Sequence, residues 1–173
     1  MKIKEGIWEK EIIENACFRL DESTRMIKKC LQLWDKEEIW IKPNEVSNSV
    51  GNLVLHICGN MSQYIISSLG EKPDNRNRKK EFNTDNGPEL NLLITQLERT
   101  VSDSKKVLRA TGKKEFLKYR KVQGFEFSGI GLVMHAVEHY SYHTGQIAIW
   151  TKMIKNKDLG FYNGLDLNKT NEI

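Results

Sequence analysis

The sequence predicts an all-α protein, a four-helix bundle, and three observations carry that prediction. Proline and glycine are scarce, at 3 and 12 of 173 residues, which argues against a loop-rich β-sandwich. Four long stretches each show an apolar stripe at i, i+3, i+4, i+7 spacing, the signature of an amphipathic helix. The composition, 39% hydrophobic and 29% charged, supplies one ordinary core. Residues 1–173 therefore read as a single domain with a short polar tail after about 165. Helices of this kind bury their stripes most simply against one another.

The first helix runs from about Trp8 to Leu33, with Ile12, Ile13, Ala16, Cys17, Leu20, Ile27, Leu31 and Trp34 as its stripe. Cys17 and Cys30 lie on or beside that stripe and read as small core residues. Trp40–Pro43 ends the pattern, because a residue before proline is pushed out of the helical region. The second helix opens at Ser47 or Ser49, either of which can cap it, and closes at Gly70. Glu71–Gly87 is a polar loop, longer than a bundle needs, and loops of this length often carry function. Its basic run Arg76–Lys80 reads by default as solvated charge. Pro88 suits the first turn of a third helix that continues to about Ala110, with Gly112 closing it. Lys113–Phe127 is basic and then aromatic, with Val122–Phe127 extended around Gly124. Ser128 caps the last helix, which continues to about Lys155, and Phe161 and Tyr162 of the tail dock on the body.

Several classes of protein are disfavoured. The charge balance is 27 − 23 = +4 without a long like-charge block, so nothing indicates a nucleic-acid partner. No apolar run approaches the roughly 18–20 residues that span a bilayer, and Met1–Lys10 has no signal-peptide core. The three cysteines show no C-x-x-C spacing and form neither a disulfide framework nor a zinc knuckle. A cytoplasmic protein without a membrane partner is expected.

The chemistry is concentrated in the histidines. Three of the four fall in His135-Ala-Val-Glu-His139-Tyr-Ser-Tyr-His143. At i, i+4 and i+8 they share one face of the last helix, drifting by roughly 40° per step. Leu132, Ala136, Tyr142, Gln146, Trp150 and Met153 lie on that face, so the imidazoles point toward the core. A buried imidazole without a partner costs on the order of 1–3 kcal/mol. A metal ion removes that cost, since neutral imidazole ligates zinc, nickel and iron. His135 and His143 stand roughly 12 Å apart along the axis, so one ion takes either His135 with His139 or His139 with His143. His56, in a polar strip of the second helix (Ser49, Asn52, His56, Asn60, Gln63), reads alone as an exposed or boundary residue. Beside the chelate it is the obvious third ligand. Cys58 lies about 200° round that helix and cannot share its ion.

At this point the residues resemble a known family. His139-Tyr-Ser-Tyr-His143-Thr144-Gly145-Gln146 is similar to the H-x-x-x-H-x-G-Q motif of the DinB/YfiT-like superfamily. Asn48-Ser-Val-Gly-Asn-Leu-Val-Leu-His56 resembles that family's second-helix segment with its first metal histidine. Trp40-Ile-Lys-Pro43, Gly59-Asn60, Arg76-x-Arg78-x-x-Glu81-Phe82 and Asp158-Leu-Gly-Phe-Tyr resemble one subgroup. The resemblance implies a four-helix bundle, usually a homodimer, holding a divalent ion, zinc or nickel, on His56, His139 and His143. It leaves His135 off the ion. Its relatives include S-transferases using bacillithiol or mycothiol, a thiol-dependent isomerase and proteins labelled as metal-dependent hydrolases. Thr144 departs from the family pattern, which often has arginine there, and removes an anion-binding charge.

Three neutral histidines with one open position describe a catalytic site. The charge of such an ion lowers the pKa of a bound water to about 7 or holds a thiol as thiolate. The expected protein is a divalent-metal-dependent enzyme acting on a small-molecule substrate, an S-transferase with a low-molecular-weight thiol of the bacillithiol type as cosubstrate. A hydrolase using a metal-bound hydroxide is the alternative, and a non-catalytic metal- or ligand-binding bundle is the rival class. Glu138, at the edge of the ligand face, is the candidate general base, against a plain surface role. Gln146, one turn past His143, is the candidate for orienting a ligand, against a plain polar role. Val133, Val137, Tyr140, Thr144 and Thr151 form a second stripe on the last helix, which predicts a homodimer unless the Lys113–Phe127 segment or the tail covers it.

Overall fold

The computed structural model describes residues 7–171. Helix α1 (Ile7–Leu31) buries Ala16, Cys17, Leu20, Ile27, Cys30 and Leu31. A 3-10 turn (Glu38–Trp40) precedes α2 (Val50–Met61). Ser49 is the cap, because its hydroxyl accepts from the Asn52 N–H and the Asn52 side chain accepts from the Ser49 N–H. That reciprocal box satisfies two donors that a helix start leaves free. The helix runs on to Gly70 as expected, but Ser62–Leu69 is wound as a π-helix. Next come α3 (Arg78–Asn83), α4 (Leu90–Ala110), α5 (Lys113–Leu117), β1 (Tyr119–Val122), β2 (Phe125–Ser128) and α6 (Gly129–Lys155). The α4 helix starts at Leu90, two residues after Pro88, with Glu89 at its cap.

Around the bundle the order is α1, α4, α2 with its π-helical extension, α6 and back to α1. This order corrects the reading of the second stripe on α6. Val133, Tyr140, Thr144 and Thr151 are buried, and Val137 is half-buried, within one chain. The side covered by α1 is marked by a Thr24–Tyr140 hydroxyl bond of 2.8 Å. Just beyond α1, Trp34 Nε1 donates to Thr151 Oγ1 at 2.9 Å. Each helix of a bundle has two neighbours, and for α6 these are α1 and α2. The stripe therefore gives no reason for a second chain.

Two short helices lie where no regular element was expected, and the extended stretch expected around Gly124 belongs to a hairpin. Helix α3 sits inside the Glu71–Gly87 loop, capped by the Asn77 side chain accepting from Lys80 N. Lys113–Phe127 divides into α5 and a hairpin pairing Tyr119–Ser128 through Val122–Phe125. Its turn is Gln123-Gly124, at φ 51° and 82°, the left-handed pair that two-residue hairpins need. Tyr64 of the π-helix donates to Gln123 Oε1 at 2.9 Å and ties the turn to the bundle. In the tail, Leu159 is buried and Phe161 packs on the core, its carbonyl accepting from Arg25 at 3.0 Å. Tyr162 stays exposed. Cys17, Cys30 and Cys58 are buried free thiols. Among the described residues no helix is long and apolar enough to cross a membrane.

Candidate metal centre

The polar strip of α2 faces α3 and α6 rather than solvent. Asn52, fully buried, donates to the carbonyls of Glu81 (3.0 Å) and Thr84 (2.7 Å) and fixes the C-terminal half of α3 against α2. Glu81 Oε2 then lies 2.9 Å from His56 Nδ1. Arg76 grips the same carboxylate with two nitrogens, Nε to Oε1 at 2.8 Å and Nη2 to Oε2 at 2.9 Å. Its Nη1 donates to Gln63 at 2.9 Å, and Gln63 donates to Asp74 at 2.7 Å. The Arg76 and Glu81 side chains are 3% and 9% exposed, so this part of the basic run is a buried ion pair, not solvated charge. Gly59 makes the pair possible, because a Cβ there would collide with Glu81 Oε1. Burial alone would raise the Glu81 pKa, but the bonds from Arg76 and His56 outweigh it and hold the carboxyl below its usual range.

Helix α6 brings the other two imidazoles to His56. His56 Nε2 and His139 Nε2 are 3.1 Å apart, and His139 Nε2 and His143 Nε2 are 3.2 Å apart. The ligand atoms of all three lie within 4.8 Å of one another. A tetrahedral ion with nitrogens at about 2.1 Å holds them about 3.4 Å apart, so the set is spaced for one ion. Second partners fix the tautomers. His56 Nδ1–H donates to Glu81, and His143 Nδ1–H donates to Gln146 Oε1 at 2.7 Å, which leaves both Nε2 lone pairs facing inward. Burial first, then the neighbouring imidazoles, pushes the His139 pKa down to about 3. Burial also lowers that of His143, partly opposed by Gln146. Neutral imidazole is the form that binds a metal.

The remaining candidates fall elsewhere. His56 is buried, not a boundary residue. His135 sits one turn back on α6, 3.2 Å from Asn60 Nδ2 and stacked on Tyr64 at 4.0 Å between ring centroids. Glu138 is exposed and lines the outer groove between α1 and α6 with Arg19, Ser141 and Gly145, so it is not placed as a base for the cluster. Tyr142 is exposed at the edge of the His143 ring. Thr144 is buried on the side of α1, its hydroxyl bonded to the Tyr140 carbonyl at 2.7 Å. Cys58 lies in the core with its thiol pushed up to about 12 by burial. Glu81 was missed as a partner of His56. Its signal was the Arg76-x-Arg78-x-x-Glu81 pattern together with the small residue Gly59.

A bundle with three imidazoles converging between its second and last long helices has the fold of the DinB-like solved structures. The model of the family described as "Protein of unknown function (DUF1572)" matches residues 8–165, and the chain belongs to that family. Solved structures of the same fold include a DinB-like protein, YjoA, from Bacillus subtilis, with 20% identity and a TM-score of 0.64 over 88% of this chain and 96% of that one. A DinB-like protein from Bacillus cereus ATCC 10987 is 13% identical, with a TM-score of 0.66 over 86% and 93%. YfiT from Bacillus subtilis, described as a probable metal-dependent hydrolase with an unusual four-helix bundle topology, is 15% identical, with a TM-score of 0.68 over 91% and 95%. None of the curated proteins compared with the chain matches it. At these identities the structural likeness shows the fold alone.

Proposed function

We propose that this protein is a divalent-metal-dependent enzyme that transfers a low-molecular-weight thiol to a small electrophile, with His56, His139 and His143 holding the ion. The carrying observation is the way the chain uses its carboxylates. The acid beside the histidines, Glu81, is taken up by Arg76 and His56, and Glu138 lies on the outer groove. A hydrolase of this type needs a free general base near its water, whereas a thiol needs only to be held as its thiolate. When bound, the ion would supply the positive charge that keeps such a nucleophile deprotonated at neutral pH.

The protein's own groups set up the site. Glu81 and Gln146 orient His56 and His143, and Arg76 keeps Glu81 charged and fixed. Phe82, 4.6 Å from His56 between ring centroids, flanks the cluster with an apolar surface. In the reaction the thiol gives its proton to solvent water, its sulfur bonds to an electrophilic carbon, and the group displaced from that carbon leaves with the electron pair and takes up a proton from solvent where its basicity requires one. Hydrolysis is the second reading, favoured by the description of YfiT. Metal analysis of the purified protein, followed by conjugation assays with and without chelator, separates the two. Turnover that needs both metal and thiol supports transfer, and thiol-free turnover supports hydrolysis. Retained metal with no turnover on any electrophile assigns the protein to binding alone.

A further inference from the structure

The layer beneath the three imidazoles is also polar, and it is not fully paired. One turn on from His56 in α2 and one turn back from His139 in α6 stand Asn60 and His135. Asn60 Nδ2 donates to His135 Nε2 at 3.2 Å. Asn60 is 3% exposed, and its Oδ1 is buried with no hydrogen-bond partner. A buried unpaired amide oxygen costs about 1–3 kcal/mol, so such an atom calls for a donor. His135 is itself fixed, its ring stacked on Tyr64 at 4.0 Å and facing His139 at 5.5 Å between centroids. Tyr64 in turn is anchored by its hydroxyl to Gln123 in the hairpin turn. These contacts hold the His135 ring in place, and with Asn60 Nδ2 on His135 the amide oxygen has no donor.

We propose that Asn60 Oδ1 accepts a hydrogen bond from the small molecule that enters the histidine site, with His135 as the positioning residue that sets the amide's orientation. The ligand then carries a donor, a hydroxyl, ammonium or amide N–H, beside the group that reaches the three imidazoles. This inference rests on the proposed metal site and adds a selection rule to it. It also gives His135 a role that neither metal ligation nor packing supplies.

The test uses the full chain loaded with cobalt(II), whose visible spectrum reports both uptake of the ion and arrival of a sulfur ligand. The probes are 2-mercaptoethanol, which carries a hydroxyl donor, and ethanethiol, which does not. One net hydrogen bond predicts that the wild type binds 2-mercaptoethanol about 3- to 10-fold more tightly. Asn60→Leu should erase that preference while keeping cobalt and ethanethiol binding. His135→Phe, which preserves a ring on Tyr64, should reduce the preference without loss of cobalt. Because Asn60→Leu alters a buried residue, His135→Phe and the wild-type ratio decide the matter if that variant fails to fold. Equal affinities in the wild type, or a full preference surviving in His135→Phe, overturn the proposal and leave the metal site standing. A wild type that takes up no cobalt overturns both.

Discussion

The two flanks of α6 solve burial in opposite ways. Toward α1 the helix presents Val133, Tyr140, Ile147 and Thr151, and the few polar groups there find ordinary partners, as Tyr140 does on Thr24 and Thr151 on Trp34 Nε1. Toward α2 it presents His135, His139 and His143, whose neighbours are more imidazoles, an amide and a buried ion pair. The first flank contributes stability by removing apolar surface from water. On the second, desolvated groups are packed together and held neutral, so it opposes folding unless something binds there. One helix thus carries an apolar seam and a histidine seam, each following the neighbour it meets.

Five experiments test that division. His139→Ala should abolish binding of one divalent ion per chain, by metal analysis, while the metal-free melting temperature changes little. Loss of the fold instead would show that the histidine flank carries structure. His135→Ala should largely spare the ion, and an empty site in that variant would mean the pair is His135 with His139. Ile147→Ala, on the α1 flank, should cost about 2–5 kcal/mol in denaturant melts and leave metal affinity unchanged in the folded protein. Glu81→Gln keeps the shape but loses the charge that holds His56, and calorimetric titration should show affinity weakened about 10- to 100-fold. The last effect is one of pH. His139 titrates near 6.5 when unfolded and at about 3 in place, so the unfolded chain takes up the proton first. That contribution is complete above pH 6.5 and is lost as pH falls toward 3, so metal-free melts should show stability declining across that window. His139→Gln, neutral throughout, should make the decline shallower.

Periodicity was enough to read the four long helices, because each has one clear stripe over many turns. It failed where elements are shorter than a few turns. Helix α3 is six residues long, and its one cap, Asn77, resembles any loop asparagine. The hairpin turn has glutamine at a left-handed position, a residue that does not announce such a turn. The convergence of His139 and His143 was legible from i, i+4 spacing, and His56 from being the one histidine outside that helix. Its burial was not legible, because α3 provides the cover and its contribution depends on contacts distant in sequence. The second stripe of α6 was legible but its cover was not, since spacing shows that a face is apolar and not which helix meets it.

The centre is also divided along the length of the chain. His56 is 25 residues from Glu81 and 83 from His139. A ribosome makes the chain from the N-terminus at about 5–20 residues per second. The carboxylate arm of the centre, with Arg76 and its α2 clamp, is therefore made well before the segment that supplies the remaining two imidazoles. Short-range contacts form with the lesser loss of chain entropy, and long-range ones come later. Three-point capture of an ion must wait for the last helix to dock, so a nascent chain released before residue 139 offers a metal a single oriented imidazole.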